Sequence, residues 1–462
     1  DFDTVLLKAL VGASKHRGSV DSSPYYEQLK LAVTWNRVDI AKSELFNGDI
    51  QWKHEDLEES MTDVLINDKP QFVRLFTENG FNIHDYLSYG RLEELYCSVA
   101  EGTLLYQLLQ RYLVLRLGPT TSISRSASAA NLQESLTKGN TEKLLGEPIR
   151  QITLFEVSKV LDLLMGDVCQ PFYQDVLGLE GNLSKKKSLL CPNKILHGEP
   201  EYRKGRCQSS WASLFIWAVL QNRSEMAAFF WEMQSESVLT ALSGCKMLRE
   251  LSRLESENET KLSMKELAQT FEMRAHDVFS SCYRSDESRS FDLLIRKSSV
   301  WGGTTCLQMG VGADARLFFS HDGVQALLSQ IWWGDMDRNT HVWKLLLTFF
   351  CPFLCYTSLI SFRLPNDQLE EEETSQEDGP SDSHYGTTVF SFSAIKQIED
   401  EADEVCTPTS ATIKGFPELY RTPPRPFIIS RWRQFWFAPV TSFLGNVLMY
   451  FLFLVFYAYV LL

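Results

Sequence analysis

The chain has 462 residues, of which 44% are hydrophobic, and a formal net charge of −14. Thirteen acids against one lysine, Lys396, lie between Asp367 and Glu404, so most of the negative charge sits in one segment and the rest is nearly neutral. No basic face is available to displace counterions, which argues against nucleic-acid binding. Ten cysteines without a C-x-x-C pair favour free thiols in a reducing compartment over a disulfide framework. Asp1–Lys15 lacks the apolar core of a secretory signal, and a start at Asp1 reads as a segment of something longer.

Residues 25–115 read as helical pairs. Pro70 and Gly80 bracket one short helix, since proline suits the first turn and glycine the position past the end. An apolar helix, a polar corner and a second apolar helix recur at Ala32–Ala41, Val64–Phe76, Ala218–Ala227, Cys282–Leu294 and Leu307–Phe319. Two copies share A-V-x-x-N-R-x-x-[IM]-A. Helix–turn–helix units that cannot bury their faces alone imply an α-solenoid of irregular spacing. The fold class is therefore all-α. Helical repeats are expected over 1–117 and 151–340, interrupted by a Ser/Thr-rich disordered loop at 118–150 and a flexible loop at 178–210. The triplet Lys185-Lys186-Lys187 reads as a solvated loop, or as a contact with lipid headgroups or an acidic partner.

The stretch 341–363 is unusually apolar but interrupted by Pro352, which would free a backbone carbonyl within hydrocarbon. It reads as a helix or helical hairpin tucked beneath a membrane; a buried solenoid helix and a true crossing are the alternatives. An acidic and then Pro-rich linker follows at 364–420, and a pre-membrane collar at 421–439. Within the collar, Arg431, Trp432, Arg433 and Trp436 have the amphipathic character of an interfacial anchor. Residues 440–462 carry no charge and no proline, and about 20 apolar residues suffice for one helical crossing. Arg421, Arg425, Arg431 and Arg433 precede this span and keep its N-terminal side cytosolic.

No nucleotide, metalloprotease or nucleophile-elbow motif is present, and no case for an enzyme emerges. His276 and Asp277 have no companion ligand at metal spacing, so His276 reads as structural. His321-Asp322-Gly323 reads as a capping turn with Asp322 as the cap. The carboxylate runs lack the alternating ligands and turn glycine of an EF-hand, and read as solvated linker. Arg125-Ser126-Ala127-Ser128 would suit a basophilic kinase, although such tetrapeptides are common.

Trp35-Asn36-Arg37-Val38-Asp39-Ile40-Ala41, Gln51-Trp52, Trp332-Trp333-Gly334-Asp335-Met336 and Phe435-Trp436-x-Ala438-Pro439-Val440 resemble the melastatin-type transient receptor potential channels. The resemblance covers most of the chain and is absent from much of 365–420. Tyr89-Gly90-Arg91-Leu92, Trp217–Arg223, Asn446–Tyr450 with Tyr459–Leu462, and Ser43–Phe46 with Gly48–Trp52 are most similar to the Ca²⁺-activated, monovalent-cation-selective members. Phe437 departs from the glycine of those members, which leaves the bend before the membrane helix open.

The resemblance implies melastatin homology regions 3 and 4, leading through a membrane-proximal helical segment into the first transmembrane helix. It further implies a plasma-membrane homotetramer conducting monovalent cations, with cytosolic Ca²⁺ as the activating ligand and with identical subunits and the bilayer as partners. The family's Ca²⁺ ligands lie outside this chain, so none is assigned here. Tyr450 matches a tyrosine that lines a ligand cavity in a relative, and Asn446 lies one turn earlier on the same face. For Asn446, a hydrogen bond to a neighbouring helix is the simpler role. A single-pass membrane scaffold with a helical-repeat arm is the rival reading, and a soluble repeat adaptor a third.

Overall fold

A computed structural model describes residues 5–6, 8–9, 25–48, 50, 52–117, 152–174, 176–177, 201–357, 359–362 and 427–461. The loop at 118–150, residues 178–200 of the second loop with its lysine triplet, the linker at 364–420, and Arg421 and Arg425 lie outside the described residues. Regular structure among the described residues is helical, with two isolated bridges, Ser88 to Arg206 and Met336 to Phe362. The chain divides into two compact units. One comprises Asp1–Ala275, Ser298–Thr304 and Gln308–Ala315; the other comprises His276–Lys297, Thr305–Leu307 and Arg316–Leu462.

In the first unit the corners are the repeated element, and local chemistry explains them. Asn36, Asp68, Gly80, Asn222 and Asp314 all have positive φ, between 53° and 90°. Glycine, asparagine and aspartate tolerate this left-handed region best. At each corner the positive-φ residue's N–H bonds back three residues, and the following N–H bonds back five. Asn222 and Arg223 thus donate to Val219 and Ala218, as Asn36 and Arg37 donate to Val33 and Ala32, all near 3.0 Å. The paired bonds satisfy carbonyls that a helix end would otherwise orphan. The shared N-R of the sequence motif is this geometry: Asn for the left-handed turn, Arg to begin the next helix.

The residue after the turn also joins successive corners. Lys69 Nζ donates to the carbonyls of Val33 and Thr34, the last turn of helix Tyr26–Thr34. Arg223 donates to the carbonyls of Leu65 and Ile66, the last turn of helix His54–Ile66, while its guanidinium stacks on Trp217 at 4.7 Å. A cation at a helix C-terminus also complements the helix dipole. We expect Arg223→Ala to destabilise this unit by about 2 kcal/mol through two orphaned carbonyls and the lost stacking, and Arg223→Lys to recover part of it. Thermal unfolding of the full-length protein would measure this; a change below about 0.5 kcal/mol would remove the corner contact from the stabilising set.

Helix Ser210–Leu220 is the centre of this unit, buried at every residue from Ala212 to Leu220. It packs on Ser224–Glu232 and Ser237–Leu254, and Leu154–Met165 packs on Leu104–Leu117 and Ser237–Leu254. Trp217 is fully buried and donates its indole N–H to Leu95 O at 3.1 Å. Eleven residues are too few to cross a bilayer, so the apolarity of this helix reflects burial on all sides.

Two pins hold distant segments in the same unit. Glu93, 3% exposed, accepts from Leu154 N at 2.8 Å and Tyr202 Oη at 2.6 Å, and lies 2.6 Å from Arg203 Nε. Residues 201–204, within the expected loop 178–210, accordingly form a 3₁₀ turn. The other pin is Gly302, with φ +60°, whose carbonyl accepts from Gln170 N at 3.2 Å.

In the second unit, Glu287–Ile295 is capped by Asp286, whose side chain accepts from Arg289 N. Asp322–Trp333 is capped differently from the sequence expectation. His321 is the N-cap, its Nδ1 accepting from Gly323 N at 3.0 Å, and Asp322 is the first helical residue. An imidazole nitrogen reaches the second amide as a short oxygen-bearing side chain does, which the Ser/Thr/Asp/Asn rule does not anticipate. The eight described cysteines are free thiols, four of them buried.

Candidate membrane-entry site

Within the second unit, helix Phe427–Trp436 ends at a turn, and helix Pro439–Leu461 follows. The turn forms without glycine. Phe437 lies outside the positive-φ set and donates its N–H to Arg433 O at 3.0 Å, which resolves the question raised by its departure from the family's glycine. Pro439 occupies the first helical position, where its missing N–H costs nothing.

The apolar stretch after His341 forms helix Val342–Phe350, breaks at Cys351 and continues as a 3₁₀ turn from Pro352 to Tyr356. The chain then reverses, so that Asp337 N donates to Ser361 O at 3.0 Å and Met336 bridges Phe362. A nine-residue helix rises only about 14 Å, half of a hydrocarbon core. Among the described residues, the helix long and apolar enough to cross a membrane is Pro439–Leu461.

These elements meet in one cluster. Met336, Leu345, Ile360, Phe435, Ala438 and Val440 are buried together, with Trp333, Phe362, Trp436 and Leu444 against them. Phe349 is wedged between Trp436, with centroids 5.2 Å apart, and Gly445, where a Cβ would lie 3.2 Å from its ring. Trp332 meets Phe443 at 5.4 Å. The first two turns of the apolar helix are therefore held by Asp322–Trp333 and Val342–Phe350, and nearly all residues beyond them are exposed.

The four residues expected to form an interfacial anchor divide between two settings. Trp436 faces the cluster and Arg431 lies over the Phe362 ring at 5.4 Å, whereas Trp432 and Arg433 are exposed. Arg433 lies over the exposed Phe437 ring at 5.4 Å. Val342, Trp343, Phe350 and Phe353 add an exposed apolar strip, 57–82% accessible, with Lys344 Nζ over the Trp343 ring. Asn446 and Tyr450 share one exposed face, and Tyr450 is roughly opposite Thr441, which is buried in the cluster. Sequence reading did not single out Phe349; a glycine within an otherwise bulky apolar helix was the available sign of a close approach. Among the described residues, no group of three or more His, Cys, Asp or Glu is placed to hold a metal ion.

A helical-repeat unit and a helical unit ending in an exposed, charge-free 23-residue helix, long and apolar enough to cross a membrane, define an all-α protein. A family model described as a TRPM2-like domain matches residues 44–321. The chain is 43% identical, over its whole length and 37% of the relative's, to transient receptor potential cation channel subfamily M member 5 of Homo sapiens. It is 39% identical, over its whole length and 35% of the relative's, to member 4 of Rattus norvegicus. Against member 2 of Rattus norvegicus it is 34% identical over 79% of the chain and 23% of the relative. The chain belongs to the melastatin subfamily of transient receptor potential cation channels. It spans little more than a third of the length of members 5 and 4.

Proposed function

We propose that this chain is the cytosolic assembly and coupling region, together with the first membrane helix, of a homotetrameric plasma-membrane channel. Cytosolic Ca²⁺ activates the channel, and monovalent cations pass through it to depolarise the cell. The observation that carries the coupling role is the wedge of Phe349 and Trp332 against the first turns of Pro439–Leu461. Movement of the helices that bear these rings must displace the membrane helix, because close-packed apolar contacts transmit strain. The names of the relatives support a cation channel; the sequence strings quoted above support Ca²⁺ activation and monovalent selectivity. The exposed strip Val342, Trp343, Phe350 and Phe353 lies in the cytosolic headgroup layer beside that helix, where amphipathic aromatic surface is stable.

In this reading the chain has no catalytic role and supplies no Ca²⁺ ligand. Inside-out patch recording of the complete protein with stepped cytosolic Ca²⁺ tests it. A Ca²⁺-evoked monovalent current is expected; its absence leaves a single-pass membrane scaffold as the better account. Asn446 and Tyr450 face the interior of the membrane bundle. We expect Tyr450→Ala to shift Ca²⁺ or ligand sensitivity by roughly three- to tenfold, the worth of one hydrogen-bonding side chain, with surface expression intact. Unchanged dose–response curves would place Tyr450 outside the cavity.

A further inference from the structure

His321 sits at the start of a helix whose far end touches the membrane helix. A backbone N–H can only donate, so the 3.0 Å bond from Gly323 N requires an unprotonated Nδ1 and places the ring proton on Nε2. The ring lies among three others: Phe279 at 4.9 Å, His276 at 5.2 Å and Tyr283 at 5.6 Å. Gly323 approaches Tyr283 so closely that a Cβ would sit 2.6 Å from its ring. Eleven residues further on, Trp332 packs against Phe443, and Trp333 packs against the Leu345–Phe435 cluster.

We propose that His321 is a proton-sensitive clasp. Protonation of Nδ1 removes the acceptor that caps Asp322–Trp333 and loosens the helix that carries Trp332 and Trp333 to the membrane entry. No bond other than the new N–H forms, and the proton comes from the cytosol. The cytosolic orientation rests on the functional reading above.

Several features oppose the charged ring. Burial holds the imidazole below its ordinary value of 6.5, and the neighbouring His276 and Arg284 act in the same direction. Asp322, in the first turn, is the opposing influence. A positive charge at a helix N-terminus also meets the positive end of the helix dipole. Of the remaining groups nearby, Asp277 is 3.1 Å from His276 Nδ1, Glu287 accepts from the Tyr283 hydroxyl, and Arg316 on the preceding short helix is exposed. Because the folded-state value is depressed, the unfolded chain binds the proton more readily. The cap therefore contributes fully above pH 6.5, and its contribution is lost as the pH falls from there through the lower folded-state value.

The test is amide hydrogen exchange of the full-length channel in lipid nanodiscs at pH 7.5 and 5.5, normalised to intrinsic exchange rates. Protection over residues 323–326 should fall roughly tenfold in the parent, the scale of a lost N-cap. His321→Asn and His321→Asp cap without titrating in this window and should hold within about twofold. His321→Ala should be poorly protected at both pH values. Equal loss in the parent and in both capping variants, or retained protection in the parent at pH 5.5, would overturn the clasp. The exchange readout needs no current, so a silent patch bears on the functional reading alone.

Discussion

Replacing Glu93 with alanine is expected to cost the repeat unit about 3 kcal/mol. The substitution removes the carboxylate beside Arg203 and deprives the Tyr202 hydroxyl and the Leu154 N–H of their acceptor at a buried site. Removing one member of a largely buried ion pair costs more than the pair stabilises, because the remaining charge, here Arg203 with 24% of its side chain exposed, stays partly desolvated. Burial, followed by the Glu93 carboxylate, pushes the Tyr202 phenol up, so it remains a donor through the physiological range. Glu93→Gln keeps an acceptor for the two neutral donors and gives up the charge, so about half the effect is expected. Denaturation of the full-length protein, with exchange read over residues 152–158 and 201–207, separates the outcomes. A loss under about 1 kcal/mol, or no change in protection of either segment, would mean that Glu93 does not join them.

A second large loss is expected at Gly302. A Cβ there would lie 2.7 Å from the carbonyl oxygen of Gln170 and 2.8 Å from its amide nitrogen, in a backbone conformation with φ +60°. Backbone atoms cannot rotate away as the tip of a side chain can. The loop is also fixed on both sides: Thr304 Oγ1 donates to Val168 O at 2.7 Å, and the fully buried Trp301 packs on Phe172 at 5.7 Å. Gly302→Ala is therefore expected to cost more than about 3 kcal/mol, combining strain and displacement. Gly303 is the internal control. It has φ +76° and nothing within 4 Å of a Cβ, so Gly303→Ala should cost only about 1 kcal/mol of strain. Thermal melts of both variants give the comparison, and equal losses would show that the approach to Gln170 contributes nothing.

The features legible from sequence share a physical property: they are local. Pro70 and Gly80 bracket helix Pro70–Glu78 because proline and glycine act through their own backbone. The two A-V-x-x-N-R corners match because Asn36 and Asn222 each adopt the left-handed turn within six residues of chain. The apolar, charge-free run before the C-terminal leucine is a helix by composition and length alone.

What eluded sequence reading depends on distance along the chain. Nothing near Glu93 in sequence marks it for burial; Leu154 and Tyr202, 61 and 109 residues away, make its site. Nothing near Phe349 foretells Gly445 or Trp436. At the capping turn, His321 and Asp322 are both polar and adjacent, and the aromatic surroundings formed by Phe279, His276 and Tyr283 hold the imidazole where it can accept the Gly323 N–H.

The sequence by itself determined the all-α class, the repeated corners, the membrane-length helix and the family, because each is written in short-range propensity or in strings of adjacent residues. Only the tertiary structure decided which side chains pin the repeats, which ring caps Asp322–Trp333, and which face of Pro439–Leu461 is packed. Those choices arise when residues far apart in the chain compete for the same buried volume, and neither composition nor periodicity records the outcome of that competition.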